Sequence, residues 1–426
     1  MRRTMLASAA AALVAAGGAH AAQGNVPSGI PALDHVFVIM MENHAYGQVA
    51  GNPQAPFINS LMAKANTATN YYAIAHPSLT NYFEVVGGSN FNNLSDQYPD
   101  WHSKTCTPNI VPGQPTNTDN PSTGLLCPIA GKRGTEAATP VLDTTMNETS
   151  NPPLTNIDGM LSIPAATNVD GITIADQLVA AGKSWKSYQE GLPLTGADGV
   201  NVSDGYYTIG GPNALGVNVT SNFAALSTPG NPVSADNVVF LYAVKHNPFA
   251  YFAAVQEGAN PALSLKRVTA FEGQNGLYAD LKMGHVPDFA FIAPNQCNDM
   301  HGRGNGTAFC NYDADDNGTQ VGLNPSLILQ GDLAVQRIVT AIKASSVWAN
   351  SKSAIVVLWD ENDYSTRTSN QVVTIVDTNY GVHKVKSAKF YDHYSLTKTL
   401  DSAFGLPCLN HACDEKVAVM ADLFAE

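Results

Sequence analysis

Basic residues are scarce in this sequence. Its 426 residues include 22 Lys and Arg against 35 Asp and Glu, so the formal net charge is −13 while only 13% of the chain is charged. A surface of this sign disfavours nucleic acids and anionic membranes as partners. A local anion site is still compatible with this charge, because a bound metal ion can reverse the sign of a small region.

Long hydrophobic runs are also missing after the N-terminus. The first residues, MRRTMLASAAAALVAAGGAHAAQ, contain two arginines, an apolar run too short to cross a bilayer, and a small-residue cleavage signal near Ala21 or Ala22. This pattern predicts a signal peptide over residues 1–22 and a secreted or periplasmic chain over residues 23–426. No later run is long enough for a membrane helix, so we expect no stable membrane insertion.

The six cysteines lack the spacing of a thiolate zinc site. An even number of cysteines in an exported chain instead predicts disulfides, and proximity favours Cys106–Cys127, Cys297–Cys310 and Cys408–Cys413 among the fifteen connectivities that six cysteines allow. The first pair would pin residues 90–168, which are rich in Asn, Thr, Pro and Gly. We interpret that segment as a loop-rich insertion.

Apolar and amphipathic segments alternate along the rest of the chain. Buried strands are predicted for HVFVIMM, PDFAFIA and SAIVVLW, and helices for APFINSLMAKAN, TIADQLVAAG, SLILQGDLAVQRIVTAIKAS and SLTKTLDSAFG. Strands that alternate with helices predict an α/β domain with a mostly parallel sheet sandwiched by helices.

Polar clusters follow three of the predicted strands, in MMENH, NQCNDMH and WDEND. Open α/β sheets bind ligands at the carboxyl ends of their strands, and oxygen ligands with histidine suit a divalent cation. Adjacent carboxylates such as Asp360 and Glu361 raise each other's pKa unless a cation lies between them. One such cluster is usually a set of helix caps, but three together predict a metal site.

A candidate nucleophile lies in AHPSLTNYFEVVGG, where Ser78 begins a predicted helix. The dipole and N–H groups of a helix N-terminus favour a phosphate, although a serine there is more often a plain N-cap. The segment has no G-x-S-x-G elbow, which argues against a lipase-type triad. A metal could activate the hydroxyl without that elbow.

Two further patterns have ordinary structural interpretations. His246, His301 and His393 are single histidines, which usually make structural hydrogen bonds. DADDNGTQVGLN, residues 313–324, starts like a calcium loop but has Asn324 where the bidentate glutamate belongs, so a solvated acidic turn is the better interpretation.

Seven ordered motifs between residues 35 and 407 resemble a known family. They are MMENHAYG, HPSLTNYFEVVGG, IADQLVAAGKSWKSYQEGLP, KHNPFAYF, PNQCNDMHG, WDEND and DHYSLTKTLDSAFGL. The order is similar to that of the secreted bacterial phosphoesterases, which include phospholipases C and acid phosphatases of the alkaline-phosphatase-like superfamily. This resemblance implies an α/β sandwich whose strand ends hold a catalytic divalent metal.

The resemblance also assigns the residues of the metal site. It implies Glu42 and Asn43 as ligands from the first strand, Asp360 and Glu361 as ligands from the late strand, and Ser78 as the metal-bound nucleophile. Thr80 is the fallback nucleophile.

A second set of residues matches the family further along the chain. Asp299, His301 and His393 match an Asp/His set that holds a second metal in superfamily relatives, or else they bind phosphate and protonate the leaving group. Asn81 and His246 are expected to bind the substrate. One metal and two metals both remain open.

The expected function is a metal-dependent acid phosphatase that hydrolyses small phosphomonoesters through a phosphoserine. Phospholipases C of the family usually have threonine in place of Ser78, and this sequence ends soon after the HYSL motif, without their extra C-terminal domains. The alternatives are a phospholipase C that cleaves phospholipid phosphodiesters and a secreted metal-binding module without catalysis. The identity of the metal, the natural ester and the oligomeric state stay open.

Overall fold

The predicted metal site lies on a β-sheet whose strands come from most of the length of the chain. A computed structural model describes residues 24–91, 169, 171–192, 242–302, 310–314, 318–362 and 369–426. The predicted signal peptide and nearly all of the predicted insertion, including Cys106 and Cys127, lie outside these ranges.

The strands are β1 (His35–Met41), β2 (Asn66–Ala68), β3 (Tyr71–Tyr72), β4 (Trp185–Gln189), β5 (Val268–Ala270), β6 (Phe289–Ala293), β7 (Ser353–Trp359), β8 (Thr374–Thr378), β9 (Lys386–Ser387) and β10 (Tyr391–Asp392). In the described part of the chain, eight of them form one sheet in the order β5-β4-β6-β1-β7-β8-β2-β9, and β10 pairs with β3. Among the described strands of this sheet, only β8 runs antiparallel to its neighbours. The predicted mostly parallel α/β fold is confirmed.

The helices are α1 (Tyr46–Val49), α2 (Pro56–Lys64), α3 (Ser78–Gly87), α4 (Ile174–Ala180), α5 (Ala253–Glu257), α6 (Leu277–Met283), α7 (Pro325–Ala344), α8 (Ser346–Asn350) and α9 (His393–Phe404). Short 3-10 turns cover Val244–His246, Pro248–Tyr251, Leu265–Arg267 and Asn410–Cys413. Among the helices of the described ranges, none has the length and apolarity to cross a membrane.

The central strands form because they are continuous apolar runs that are buried on both faces. β1 pairs in parallel with β6 and β7, and its register places Met41 opposite Trp359. Asp360 N–H then donates to the Met41 carbonyl at 2.9 Å. The residues that follow β1 and β7 therefore leave the sheet side by side.

Capping side chains fix several of the predicted helices. Thr173 caps α4 by accepting a hydrogen bond from Ala175 N–H, as expected for a helix that begins after a threonine. Helix α2 has no cap of its own, since Ala55 precedes it. Buried Asp332 of α7 instead accepts hydrogen bonds from the N–H groups of Phe57 and Ile58, at 3.1 and 2.7 Å.

Two of the three predicted disulfides lie in the described part of the chain. Cys297–Cys310 and Cys408–Cys413 both form, which confirms the proximity pairing for these four residues. The first closes the segment that follows β6, and both of its cysteines are buried.

Candidate active site

Polar residues from neighbouring strands meet at the carboxyl edge of the sheet. Glu42 follows β1, Asp360 and Glu361 follow β7, and Asp299 lies in the loop after β6. All four carboxylates are fully buried. Glu42 N–H donates to the Asp299 main-chain carbonyl at 2.8 Å, which ties the β1 and β6 ends together. The structure thus brings the three predicted clusters into one group.

Ser78 lies at the first position of α3 and points into this group. Its Oγ donates to Glu42 Oε2 at 3.0 Å and lies 3.4 Å from Glu361 Oε1. Pro77 is the N-cap, and its own side chain makes no capping hydrogen bond. The alternative interpretation of Ser78 as a plain N-cap is therefore wrong, because its hydroxyl faces carboxylates rather than the helix N–H groups.

Glu361 is held by two residues that flank Ser78 in sequence. His76 Nδ1 lies 2.9 Å from Glu361 Oε2, and Asn81 Nδ2 donates to the same oxygen at 2.8 Å. The Asn81 amide also donates to the Ala75 carbonyl and accepts from the N–H groups of Ile74 and Ala75. With its donors and acceptors used in this way, Asn81 supports Glu361, which argues against its predicted contact with substrate.

Asn43 makes the sharp exit from β1. Its φ of 51° lies in the left-handed region, which asparagine tolerates better than most residues. In this conformation Asn43 N–H donates to Asp360 Oδ1 at 3.0 Å. The conformation therefore couples the β1 and β7 ends through the backbone.

His246 lies on the other side of Glu42. Its Nε2 is 3.2 Å from Glu42 Oε1, and its Nδ1 is 3.0 Å from Asp299 Oδ2. Tyr82 stacks on the imidazole with ring centroids 5.5 Å apart and donates its hydroxyl to Glu42 Oε1. The sequence offered His246 only as a single histidine with an expected role in substrate binding, and the structure instead shows it bridging two buried carboxylates.

The loop after β6 carries His301 toward the same group. His301 Nδ1 lies 2.8 Å from the Gly302 carbonyl, its N–H donates to Asp299 Oδ1, and its Nε2 lies 3.1 Å from Lys245 Nζ. Glu190 supports this loop, because its Oε2 accepts from Asn295 N–H and from Asn298 Nδ2. The loop is thereby joined to the end of β4.

His393 has a different setting from the one predicted. Its Nε2 donates to the Asp360 main-chain carbonyl at 2.7 Å, and its Nδ1 lies 3.0 Å from the Tyr71 hydroxyl. Burial lowers the pKa of His393 to about 4, so the ring is neutral at ordinary pH. Both ring nitrogens are engaged away from the carboxylates. This geometry favours a role in positioning Asp360 and argues against direct catalysis or metal binding.

Burial and mutual repulsion dominate the electrostatics of the site. Burial raises the pKa of Glu42 well above its usual range, and the nearby Asp360 and Asp299 raise it further. Burial also raises the pKa of Asp299 well above its usual range and that of Asp360 to about 6. So many carboxylates taken out of water are stable together only when protons or cations compensate their charge.

Several oxygens at the site fit a divalent cation. Asp360 Oδ2 and Asn43 Oδ1 are shielded from solvent and find no hydrogen-bond donor among the described residues. Buried oxygens of this kind are costly unless a cation or proton satisfies them. Separately, ligand atoms of Glu42, His246 and His301 lie within 4.8 Å of one another and could hold an ion.

Sequence reasoning missed three residues of the site: His76, Tyr82 and Lys245. His76 lies two residues before Ser78, Tyr82 lies one helical turn after it, and Lys245 directly precedes His246. Their closeness to assigned residues was the available signal.

The calcium-like loop contributes a structural contact. Asp313 Oδ2 lies 3.1 Å from His44 Nε2, and Asn324 caps α7 by accepting from the N–H groups of Ser326 and Leu327. Asp315 and Asn317 lie outside the described residues.

The chain is similar in sequence to a known family of proteins. Residues 51–311, more than half of it, match the model of the Phosphoesterase family. The sequence is 25% identical over 394 residues to a Phosphatidylinositol-3-phosphatase of Mycobacterium tuberculosis. This alignment covers 91% of this chain and 83% of that protein.

More distant matches include two fungal proteins. An Acid phosphatase of Aspergillus fumigatus is 22% identical and a Probable acid phosphatase of Kluyveromyces lactis is 23% identical, each over 89% of this chain. The chain spans 56% and 60% of their respective lengths. Among solved structures, a protein in the alkaline phosphatase superfamily from Vibrio parahaemolyticus aligns with a TM-score of 0.41 and 13% identity, over 90% of this chain and 69% of that one.

Proposed function

The chain belongs to the Phosphoesterase family, and from that premise we propose that it is a metal-dependent phosphomonoesterase of the acid phosphatase type, exported from the cell, with Ser78 as nucleophile. The observation that carries the proposal is the hydrogen bond from Ser78 Oγ to Glu42 Oε2, within a group of fully buried carboxylates. A serine in that position has its proton directed at a base and its oxygen at the edge of a cation site.

The metal would be held by Glu42, Asn43, Asp360 and Glu361 together with the Ser78 hydroxyl. The support is the orphaned oxygens of Asp360 and Asn43 and the repulsion among the carboxylates. When bound, a divalent ion would lower the pKa of the serine hydroxyl and neutralise charge on the phosphate.

The reaction proceeds by transfer of the phosphoryl group to the enzyme. Ser78 Oγ loses its proton to the neighbouring carboxylate and attacks phosphorus, and the ester oxygen leaves with a proton. Water then hydrolyses the phosphoserine and releases inorganic phosphate. We assign the donor for the leaving oxygen to the hydrogen-bonded pair of His301 and Lys245, which lies across Glu42 from Ser78.

The other residues hold this machinery in place. His76 and Asn81 orient Glu361, while His393 orients the Asp360 backbone. His246 fixes Glu42 against Asp299. The names of the relatives, a phosphatidylinositol-3-phosphatase and acid phosphatases, support a phosphomonoester as substrate.

A substrate and chelator series tests the proposal. We expect hydrolysis of p-nitrophenyl phosphate, a much slower reaction with the phosphorylcholine diester of p-nitrophenol, loss of activity with a chelator, and recovery with a divalent ion. A preference for the diester would identify a phospholipase C instead. No hydrolysis of either ester under any metal would identify a non-catalytic module.

A further inference from the structure

Glu42 faces two separate groups of side chains. Its Oε2 accepts from Ser78, whereas its Oε1 lies 3.2 Å from His246 Nε2. On the Oε1 side, Glu42, His246 and His301 form what we call the histidine group, whose ligand atoms lie within 4.8 Å of one another. Two imidazoles and a carboxylate are a common ligand set for zinc and related ions. By ligand type alone, this group could hold a second metal.

The hydrogen bonds of His301 determine which nitrogen it offers to that group. The Gly302 carbonyl can only accept, so the Nδ1 atom 2.8 Å away carries the proton of the ring. Nε2 therefore presents a lone pair. Lys245 Nζ lies 3.1 Å from this Nε2 and donates to it, so the lone pair that a metal would need is already directed at an ammonium group.

Lys245 is unusual because it is a buried lysine. Its residue exposure is 4%, and it lies in the 3-10 turn Val244–His246 beside His246. A buried ammonium requires acceptors and compensating negative charge. Burial raises the pKa of both Glu42 and Asp299, and the charge of Lys245 opposes that rise at each of them. The two carboxylates and His301 thus supply what the buried ammonium needs.

We propose that the Lys245 ammonium is the resident cation of the histidine group, so that the chain holds one exchangeable divalent ion, on the Ser78 side of Glu42, and excludes a second. The inference rests on the proposed function for the first ion. An ammonium a hydrogen-bond length from His301 Nε2 takes its lone pair and repels a divalent ion at the same place. Lys245 then supplies a positive charge for phosphate oxygens where a second metal would otherwise do so, and its ammonium is the source of the proton that the His301–Lys245 pair gives to the leaving oxygen.

Metal stoichiometry tests the proposal without relying on catalysis. The full chain is stripped with a chelator and dialysed against a small excess of Zn²⁺. Bound metal is then counted by plasma mass spectrometry and the binding sites by calorimetry. We expect one ion in the wild type and two in Lys245→Met, which keeps an unbranched side chain as far as Cε and removes the charged terminal group. Lys245→Arg should keep one ion.

A matched control removes a lysine elsewhere on the sheet. Lys386 of the edge strand β9 donates to Thr67 Oγ1 and the Met62 carbonyl, away from the strand ends that form the site. Lys386 is exposed, and Lys386→Met should keep one ion, which shows that loss of a lysine charge elsewhere does not create a metal site.

The outcomes separate this inference from the proposed function. If the wild type binds two ions, the inference is wrong, whether or not Lys245→Met folds. If this wild type also hydrolyses phosphomonoesters, the proposed function still stands. One ion in a folded Lys245→Met also overturns it. A wild type that binds no ion removes the metal from the proposed function and this inference with it.

Discussion

Two regions bring acidic side chains to the candidate active site by different means. One is the ends of β1 and β7, and the other is the loop after β6, which we call the β6 loop. Glu42 and Asp360 are the first residues after β1 and β7, whereas Asp299 and His301 lie six and eight residues beyond β6. The paired register of β1 and β7 positions the first two. Asp299 and His301 depend on hydrogen bonds to Glu190 and on the Cys297–Cys310 disulfide.

Because of this difference, we expect the strand ends to act mainly in metal binding and catalysis, and the β6 loop to act mainly by positioning its side chains. Changes at the strand ends should alter metal binding and catalysis while the fold survives, because the main-chain ladder remains. Changes around the β6 loop should act through geometry and stability, because the loop has no ladder of its own in the described residues. The following substitutions test the two regions in turn.

The largest effect is expected for the nucleophile that faces the strand ends. Ser78→Ala should lower kcat for p-nitrophenyl phosphate by at least about 10³-fold, because only binding and electrostatic stabilisation remain. Wild-type enzyme quenched during turnover should carry phosphate on the peptide that contains HPSLTNY, detected by mass spectrometry.

The control for this substitution is the nearby hydroxyl of Thr80. Thr80→Ala should lose much less activity, and Ser78→Thr should keep part of it, since a threonine hydroxyl can also attack. Near-normal turnover in Ser78→Ala together with no phosphopeptide from the wild type would assign the attack to water.

A smaller effect is expected for one ligand at a strand end. Asp360→Asn keeps the side-chain volume and an acceptor for Asn43 N–H but removes a ligand charge. Metal content should fall and kcat should drop by about 10²-fold or more, since even partners of ligands cost 10–100-fold. Thermal unfolding in chelator should be unchanged or shifted upward, because repulsion with Glu42 is relieved.

Asp332→Asn is the matched control for a buried aspartate outside the site. It weakens the cap on α2, so it should lower the free energy of unfolding by about 1 kcal/mol while metal content stays normal. If Asp360→Asn instead loses stability and retains its metal, the strand-end ligands are wrongly assigned.

For the β6 loop, the main expected effect is on stability. The chain-entropy estimate gives about 3 kcal/mol for the 13-residue separation of Cys297 and Cys310 and about 2 kcal/mol for the 5-residue separation of Cys408 and Cys413. Double Cys→Ser replacement of each pair, followed by urea unfolding, should show the larger loss for the first pair. If the two double replacements lower the free energy of unfolding equally, Cys297–Cys310 does not stabilise the protein more than Cys408–Cys413 does.

The sequence predicted the sheet well where strands are long and apolar. HVFVIMM and SAIVVLW match β1 and β7 residue for residue, and both strands are almost wholly buried. The antiparallel β8 was not predicted, because a short apolar run does not reveal its direction. The two-residue strands β3, β9 and β10 depend on partners far along the chain, which hydrophobic periodicity does not report.

For the site, the sequence was a good guide to which residues lie together. It was a poorer guide to the contacts that each side chain makes. Motif order grouped Glu42, Ser78 and Asp360, and the structure brings them together. Motifs do not give the direction of a side chain, so His393 was predicted in catalysis although both its nitrogens face other groups. Lys245 was missed for the same reason, because its importance depends on burial and on a contact 56 residues away in sequence.

The smallest effect concerns Glu190, which joins β4 to the β6 loop. Glu190→Gln keeps the shape but weakens acceptance from Arg337 and from the amides of Asn295 and Asn298. Because the loop carries His301, which belongs to the proposed proton donor, we expect kcat/KM to fall about 10-fold, at the lower end of the cost of losing a supporting contact around a catalytic site. Metal content should stay at the wild-type value, since Glu42, Asn43 and Asp360 are untouched. Loss of the metal in this variant would show that the strand ends and the β6 loop are one cooperative unit, and the distinction between the two regions would fail.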